Sequence, residues 1–279
     1  MFEKGIILLD KPCGHTSHEI TSYVRKLFGI KTGHAGTLDP EVSGVLPIAL
    51  GKDTKMLRFI AQKNKTYVGI IKFKESVAKE TIERIFLEFT GKISQIPPKI
   101  SAVKKVKRTR EIFELNLLEI NGKRALFMAK VSAGTYIRTL CIDIGKKLKI
   151  PARMEELRRI AVGNINEVEC TKIHDLIDAV WLYKNKNDDS LLQKIIFPVD
   201  HFLNYKKIMI KTNAANSLRS GAQLMVPGII KIDDNITKDE LVLIYSEDNA
   251  LVGIGISLVS SQEMKKMVHG QAVKTERIY

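Results

Sequence analysis

The chain has 279 residues with 44% hydrophobic content, enough for one large core or two unequal domains, and it carries 45 Lys plus Arg against 31 Asp plus Glu. A formal net charge of +14 points to a polyanionic partner, nucleic acid ahead of an anionic membrane surface. No stretch approaches the roughly 20 apolar residues of a membrane span, and the start MFEKGIILLDKP lacks the apolar core of a secretory signal, so a membrane partner is not expected and a cytoplasmic location is. Cys13, Cys141 and Cys170 are far apart and odd in number, the pattern of free thiols in a reducing compartment. Cys13, His15 and His18 have no fourth ligand at a familiar spacing, and no metal is expected.

In chain order, IILLD reads as a short strand and KPCGHTS as a turn into a helix, with Thr16 and Glu19 at capping-box spacing and Ile20, Val24, Leu27 and Phe28 on one face. That helix ends at Gly29. Residues 33–43, GHAGTLDPEVS, form a loop ahead of the apolar run GVLPIAL. In it Gly33 and Gly36 are expected to adopt dihedrals closed to other residues, and Pro40 biases Asp39 toward an extended backbone. A strand over 65–73 and a helix over 79–89 follow. Glu114 to Val131 contains a hairpin signal at Asn121-Gly122. The apolar positions Ile137, Leu140, Ile144 and Leu148 mark another helix, and PARMEELRRIAVG reads as a further helix that buries Met154 and Leu157. The polar segment Lys184 to Ser190 gives a boundary between domains at 1–190 and 191–279. Beyond it come short strand-like runs, one helical piece near 214–220, and turn pairs at Ser220-Gly221 and Pro227-Gly228, the pattern of a small β-barrel-like module. Strands and helices without regular alternation favour an α+β fold, with a mixed or antiparallel sheet and flanking helices.

The constrained loop presents a lone acid, Asp39, although most Asp-Pro pairs in loops are only turns. Arg138 sits in the first turn of its helix, where the dipole favours acids, so a carboxylate should hold it; Asp39 is the expected partner, in a buried pair that keeps the acid ionised. Tyr67 reads either as core or as an aromatic wall for a base. The run Lys99 to Arg110 alternates six positive charges with Ile100, Val103 and Val106, which suggests a packed rim that neutralises phosphates. Arg153, Arg158 and Arg159 add a second basic set. Lys206, Lys207, Lys211 and Arg219 form a third in the C-terminal module.

The blocks DKPCGHTS, GHAGTLDPEVSGVLPIALGKDTK, KTYVG, SAGTYIRTLCIDIG and MEELRRIAVG resemble, in order, those of one family of pseudouridine synthases. It contains bacterial tRNA uridine-55 synthase and the catalytic subunit of archaeal and eukaryotic box H/ACA ribonucleoproteins. IPPKISAVKK and IKTNAANSLRSGAQLMVPGII are similar to the archaeal H/ACA branch, which carries a C-terminal PUA domain. The resemblance runs over residues 4–279. It implies a pseudouridine synthase sheet with a small barrel-like PUA domain, catalytic roles for Asp39, Tyr67 and Arg138, and substrate contacts from His34, Thr37 and Leu157. Lys11, with Pro12, falls in the block that supports the catalytic loop and counts among the substrate-binding candidates. The RNA-binding candidates are Lys104, Lys105, Lys107, Arg108, Arg158, Arg219 and Gly221. No cofactor is implied. Relatives usually have histidine at the place of Arg153 and a longer N-terminal extension, so this chain's substrate face and its grip on a guide RNA are expected to differ.

The implied reaction breaks the N1 to C1′ bond of uridine, turns the trapped uracil and joins C5 to C1′. The uridine must first leave its helix or sit in an open internal loop. The implied partners are a guide RNA, substrate rRNA or tRNA, a small zinc-bearing protein, a β-barrel protein at the thumb loop of 97–110, and an L7Ae-type protein. A guide-independent tRNA uridine-55 synthase and a non-catalytic RNA-binding scaffold are the alternatives.

Overall fold

The computed structural model describes residues 2–97 and 104–279, so the part of the thumb loop and basic run at 98–103 lies outside the described residues. In order, the elements are β1 (Lys4–Lys11), α1 (Ser17–Phe28), β2 (Thr32–His34), β3 (Ser43–Gly51), α2 (Leu57–Ala61), β4 (Lys65–Phe73), α3 (Lys79–Phe89), β5 (Gly91–Gln95), β6 (Arg108–Asn121), β7 (Arg124–Val131), α4 (Ile137–Leu148), β8 (Ala152–Val162), β9 (Ile165–Asn166), α5 (Ile173–Lys186), α6 (Ser190–Ile195) and β10 (Ile196–Phe197). A second set follows: β11 (Lys206–Ile210), α7 (Thr212–Arg219), β12 (Leu224–Met225), β13 (Ile229–Ile232), β14 (Leu241–Ser246), β15 (Leu251–Ser257), α8 (Ser261–Lys266) and β16 (Gln271–Ile278).

The first set builds one mixed sheet in the order β10-β1-β3-β8-β4-β7-β6-β5, with β2 added to β3 and β9 to β8. Among the described strands of this sheet the β3/β8 pairing is the parallel one, and it is brief, matching Ser43 to Arg158 and Gly44 to Arg159. The long hairpin of β6 and β7 turns one residue beyond the expected pair: Asn121 still belongs to β6 and faces Arg124, and the two loop residues are Gly122, at φ +58, and Lys123. Thr16 caps α1 through a complete capping box with Glu19, and Gly29 closes the helix in the left-handed conformation. Two apolar layers cover the sheet. Ile20 and Val24 of α1 and Leu176 and Val180 of α5 pack on Ile7, Leu9, Leu46 and Ile48, while Ile82 and Phe86 of α3 and Leu140 and Ile144 of α4 pack on Ile71, Phe127 and Leu115.

One element departs from the sequence expectation. ARMEELRRIAV, read as a helix because it is rich in good helix formers, is the strand β8, paired along its length with β4 and briefly with β3. Burial between two strands overrides the local propensity.

Contacts divide the chain into a unit ending at Phe197 and one beginning at Pro198, because β10 pairs with β1 and so keeps α6 and β10 in the first unit. The second unit is a six-stranded barrel-like sheet ordered β12-β16-β15-β14-β11-β13, around a core of Ile208, Ile244, Val252, Leu218 and Val273. No helix among the described residues is long and apolar enough to cross a membrane.

Candidate active site

The loop between β2 and β3 is fastened from four directions, and Asp39 stands at its crest. Asp39 and Pro40 occupy the first two places of a turn closed by Val42 N–H donating to Asp39 O at 3.0 Å, the arrangement that Pro at the second position favours. Leu38 is held on both sides of its peptide plane by Ser17: the hydroxyl donates to Leu38 O at 2.9 Å and accepts from Leu38 N–H at 2.8 Å. Gly14 N–H and the Lys11 ammonium both reach Pro40 O, at 2.8 and 3.3 Å. Cys13 Sγ reaches Glu41 O at 3.1 Å. Arg159 donates from Nη2 to Gly36 O and from Nε to Val45 O, each at 2.8 Å.

Gly36 has φ +78, as anticipated, and a Cβ there would meet the Arg159 guanidinium at 3.2 Å. Gly33 does not take a left-handed φ; it is small because a Cβ would stand 2.8 Å from Leu57. Its value is room, not backbone freedom.

Leu38 and Val42, one on each side of Asp39, sink into the apolar cluster that holds Tyr67, Leu157 and Ile137. Ile137 opens α4, and the next residue, Arg138, donates from Nη2 to Asp39 Oδ2 at 3.0 Å and to Glu41 Oε2 at 3.1 Å. The expected pair is therefore present, but it is neither buried nor exclusive. Asp39 and Arg138 side chains are 58% and 39% exposed, and a single guanidinium nitrogen serves two carboxylates. The start of α4 is set by Gln95 of β5, whose buried amide accepts from Tyr136 N–H at 3.0 Å and donates to Tyr136 O at 3.1 Å.

Tyr67 lies on the inward face of β4, its ring in the apolar core as the first of its two readings has it, and its hydroxyl is hydrogen-bonded to Arg159. Gly69, two residues on, lies opposite Leu157 of β8, where a Cβ would meet the leucine at 2.7 Å. Successive side chains of a strand point to opposite faces, which separates the fates of the two neighbouring arginines. Arg159 turns inward and is 1% exposed; burial lowers its pKa from the ordinary guanidinium value. Arg158 turns the other way and is clamped by both oxygens of Asp10 at 2.9 and 3.0 Å and by Glu167 at 2.7 Å. Its charge is already matched twice over, a weak basis for the phosphate-binding role expected of it.

Lys11 is fully buried and donates to Pro12 O at 2.7 Å, His15 O at 2.6 Å and Pro40 O. Burial pulls its pKa down, against the opposing influence of Cys13 and Asp39. With its donors occupied by carbonyls, Lys11 acts on the loop and not on a ligand. His34 on β2 bridges Thr21 and Thr37 through its two ring nitrogens, at 2.9 and 3.1 Å, and stacks edge-on with His18.

Lys104, Lys105 and Lys107 are exposed and Arg108 is partly covered at the start of β6. In the second unit Arg219 ends α7, and Gly221, at φ +96, closes it by donating to Leu218 O at 2.9 Å. Ser17, Glu41 and Gln95 were not among the site candidates of the sequence, and Arg159 was named there only as one of a basic set. Ser17 and Thr21, at i and i+4, lie on one face of α1, so a polar pair amid apolar helix positions was the one available signal. Among the described residues no group of His, Cys, Asp and Glu is placed to hold a metal ion.

The site is thus an open carboxylate beside a guanidinium, on a loop whose Leu38 and Val42 pack into the cluster of Leu157 and Tyr67. Comparison with known proteins gives that geometry a context. Residues 25–137 match the N-terminal domain of TruB family pseudouridylate synthase, 138–204 the C-terminal domain of tRNA pseudouridylate synthase B, and 206–279 the PUA domain. A probable tRNA pseudouridine synthase B of Pyrobaculum aerophilum is 41% identical over 98% of this chain and 83% of its own length. The protein of that description from Archaeoglobus fulgidus is 40% identical over 99% of this chain and 85% of its own. A solved Cbf5-Nop10-Gar1 complex contains a chain that superposes with a TM-score of 0.91 at 39% identity, covering 99% of this chain and 85% of that one. A structure of an H/ACA RNP bound to a substrate RNA containing 2′-deoxyuridine gives 0.89 at 37%, covering 99% and 84%.

Proposed function

The chain belongs to the TruB family of pseudouridylate synthases, and from that premise we propose that it isomerises a uridine selected by a box H/ACA guide RNA, with Asp39 as the reacting carboxylate. The observation that carries the residue assignment is the Arg138 to Asp39 ion pair at 3.0 Å, on a loop that Ser17, Lys11 and Arg159 hold from beneath. Arg138 orients the carboxylate without removing it from solvent.

The reaction conserves every atom of uridine. The N1 to C1′ bond breaks, C5 bonds to C1′, C5 loses its proton and N1 gains one. An ionised Asp39 assists by attack on a ring or sugar carbon or by removal of a sugar proton. Tyr67 and Leu157 form the wall and floor that retain the detached base, whose escape would leave an abasic site. Because the carboxylate cannot reach a base stacked in a helix, the target uridine is everted or unpaired when it meets Asp39.

Guide pairing chooses the uridine, and the protein reads backbone and shape. Exposed Lys104, Lys105 and Lys107, together with Arg219 and the Gly221 turn, contact RNA. Proteins of the Nop10 and Gar1 kinds, a small zinc-bearing protein and a β-barrel protein, are the protein partners of this reading, with an L7Ae-type protein joined through the guide. A second substrate, tRNA without any guide, is favoured by the description of the curated relatives as tRNA pseudouridine synthases. Purified chain is incubated with target RNA plus guide and accessory proteins, and separately with unmodified tRNA alone. Product only in the first reaction supports guided action; product in the second assigns the tRNA activity; none in either defeats the proposal.

A further inference from the structure

Two threonine hydroxyls and one imidazole form a hydrogen-bonded chain whose direction is fixed by its inner end. Thr21 Oγ1 has one hydrogen, and it goes to Ser17 O at 2.6 Å, a carbonyl that can only accept. The 2.9 Å contact between Thr21 Oγ1 and His34 Nδ1 is therefore one in which the imidazole donates. A neutral imidazole protonated at Nδ1 carries a lone pair at Nε2, so the Thr37 hydroxyl, 3.1 Å away, donates to it. Burial, with His18 and Arg159 nearby, holds the His34 pKa below its ordinary 6.5, which keeps that neutral form in place near neutrality. Thr37 has thus committed its only hydrogen, and its oxygen offers lone pairs alone to anything outside. Leu38 points into the core, while Thr37 and Asp39, its neighbours on either side in the loop, are both exposed.

We propose that Thr37 Oγ1 accepts a hydrogen bond from the target nucleotide, at the uracil N3–H or the ribose 2′-hydroxyl, and that Ser17, Thr21 and His34 lock it in that accepting sense. The inference rests on the uridine-isomerising reading above and adds the donor that the site selects. If the donor is N3–H, the same oxygen rejects cytidine, whose N3 carries a lone pair.

Three versions of the chain, wild type, Thr37→Val and Thr37→Ser, are assayed for affinity and single-turnover rate on RNAs carrying uridine, 3-methyluridine or 2′-deoxyuridine at the target. Thr37→Val should weaken the uridine RNA about fivefold in affinity or rate, the worth of one neutral hydrogen bond, while Thr37→Ser keeps it. On the analogue that lacks the true donor, the Val substitution should cost nothing further, which names the donor. Equal behaviour of Thr37→Val and wild type on uridine RNA, or the same loss on all three RNAs, overturns the proposal. Nitrogen NMR of His34 tests the chain without any activity: protonation at Nδ1 is expected, and protonation at Nε2 overturns it. A wild type that binds these RNAs but makes no pseudouridine defeats the isomerase reading, while the NMR result and the affinities still decide the role of Thr37.

Discussion

Replacing Ser17 by alanine removes, in one atom, both hydrogen bonds that hold the peptide groups of Leu38. Ser17 is fully buried and Leu38 nearly so, and the Leu38 N–H and C=O lose their partners at 2.8 and 2.9 Å in a place closed to bulk solvent. Each buried main-chain group left unpaired costs about 1–3 kcal/mol, so the variant should lose on the order of 3 kcal/mol. For a unit of this size that corresponds to a fall in Tm of roughly 6–12 °C. The helix itself does not suffer, because alanine is the better helix former and Thr16 still supplies the cap. What suffers is the residue after Leu38. A displacement of Asp39 on the order of 1 Å lowers kcat by about 100-fold, while binding of RNA through distant lysines is unchanged. Thermal denaturation, single-turnover pseudouridine formation and RNA titration read the three quantities separately. A Ser17→Ala chain with wild-type melting and wild-type kcat would refute the claim that this clamp positions the acid.

Other expectations concern charge and pH. Glu41→Gln removes the second negative charge on Arg138 Nη2 while keeping an oxygen that can accept from it; Lys11 from the end of β1 and Arg138 from α4 remain as cations near Asp39. The Asp39–Arg138 pair should strengthen, more at low salt than at high because it is exposed, and single-turnover rates of wild type and Glu41→Gln that respond identically to salt would mean Glu41 has no electrostatic role. His34 is held neutral by burial, so the unfolded chain takes up its proton first. The stability this gives is complete above pH 6.5 and is lost as pH falls below that value toward the lower folded pKa. Denaturant midpoints measured across this range should show the slope in wild type and a flatter one in His34→Gln; identical slopes would contradict it.

The local signals in the sequence were strong where chemistry is local. The capping box of Thr16 and Glu19, the hairpin signal at Asn121-Gly122 and the period of Ile137, Leu140, Ile144 and Leu148 each depend on neighbours within a few residues, and each element formed. The strand β8 was not legible, because MEELRR satisfies a helix as well as a strand and only pairing with β4 and β3 decides. The same error hid the role of Arg159, which was grouped with Arg153 and Arg158 as a basic set: on a strand it turns away from Arg158, under Gly36 and toward Tyr67. Glu41 was passed over because nothing in the order of residues shows that Arg138 Nη2 reaches two acids at once. Burial of the Asp39 pair was overestimated for a related reason. A motif names partners, but the depth of a site depends on where distant strands end.

The most direct measurement is Asp39→Asn, which changes one oxygen to nitrogen and removes the charge at the centre of the account. In the presence of guide, target RNA and accessory proteins, a mass-neutral pseudouridine assay should find no product from the variant, while its RNA affinity stays within about twofold of wild type because the lysines and arginines proposed to contact phosphates are unchanged. Substantial pseudouridine from Asp39→Asn would contradict the account, whatever its affinity.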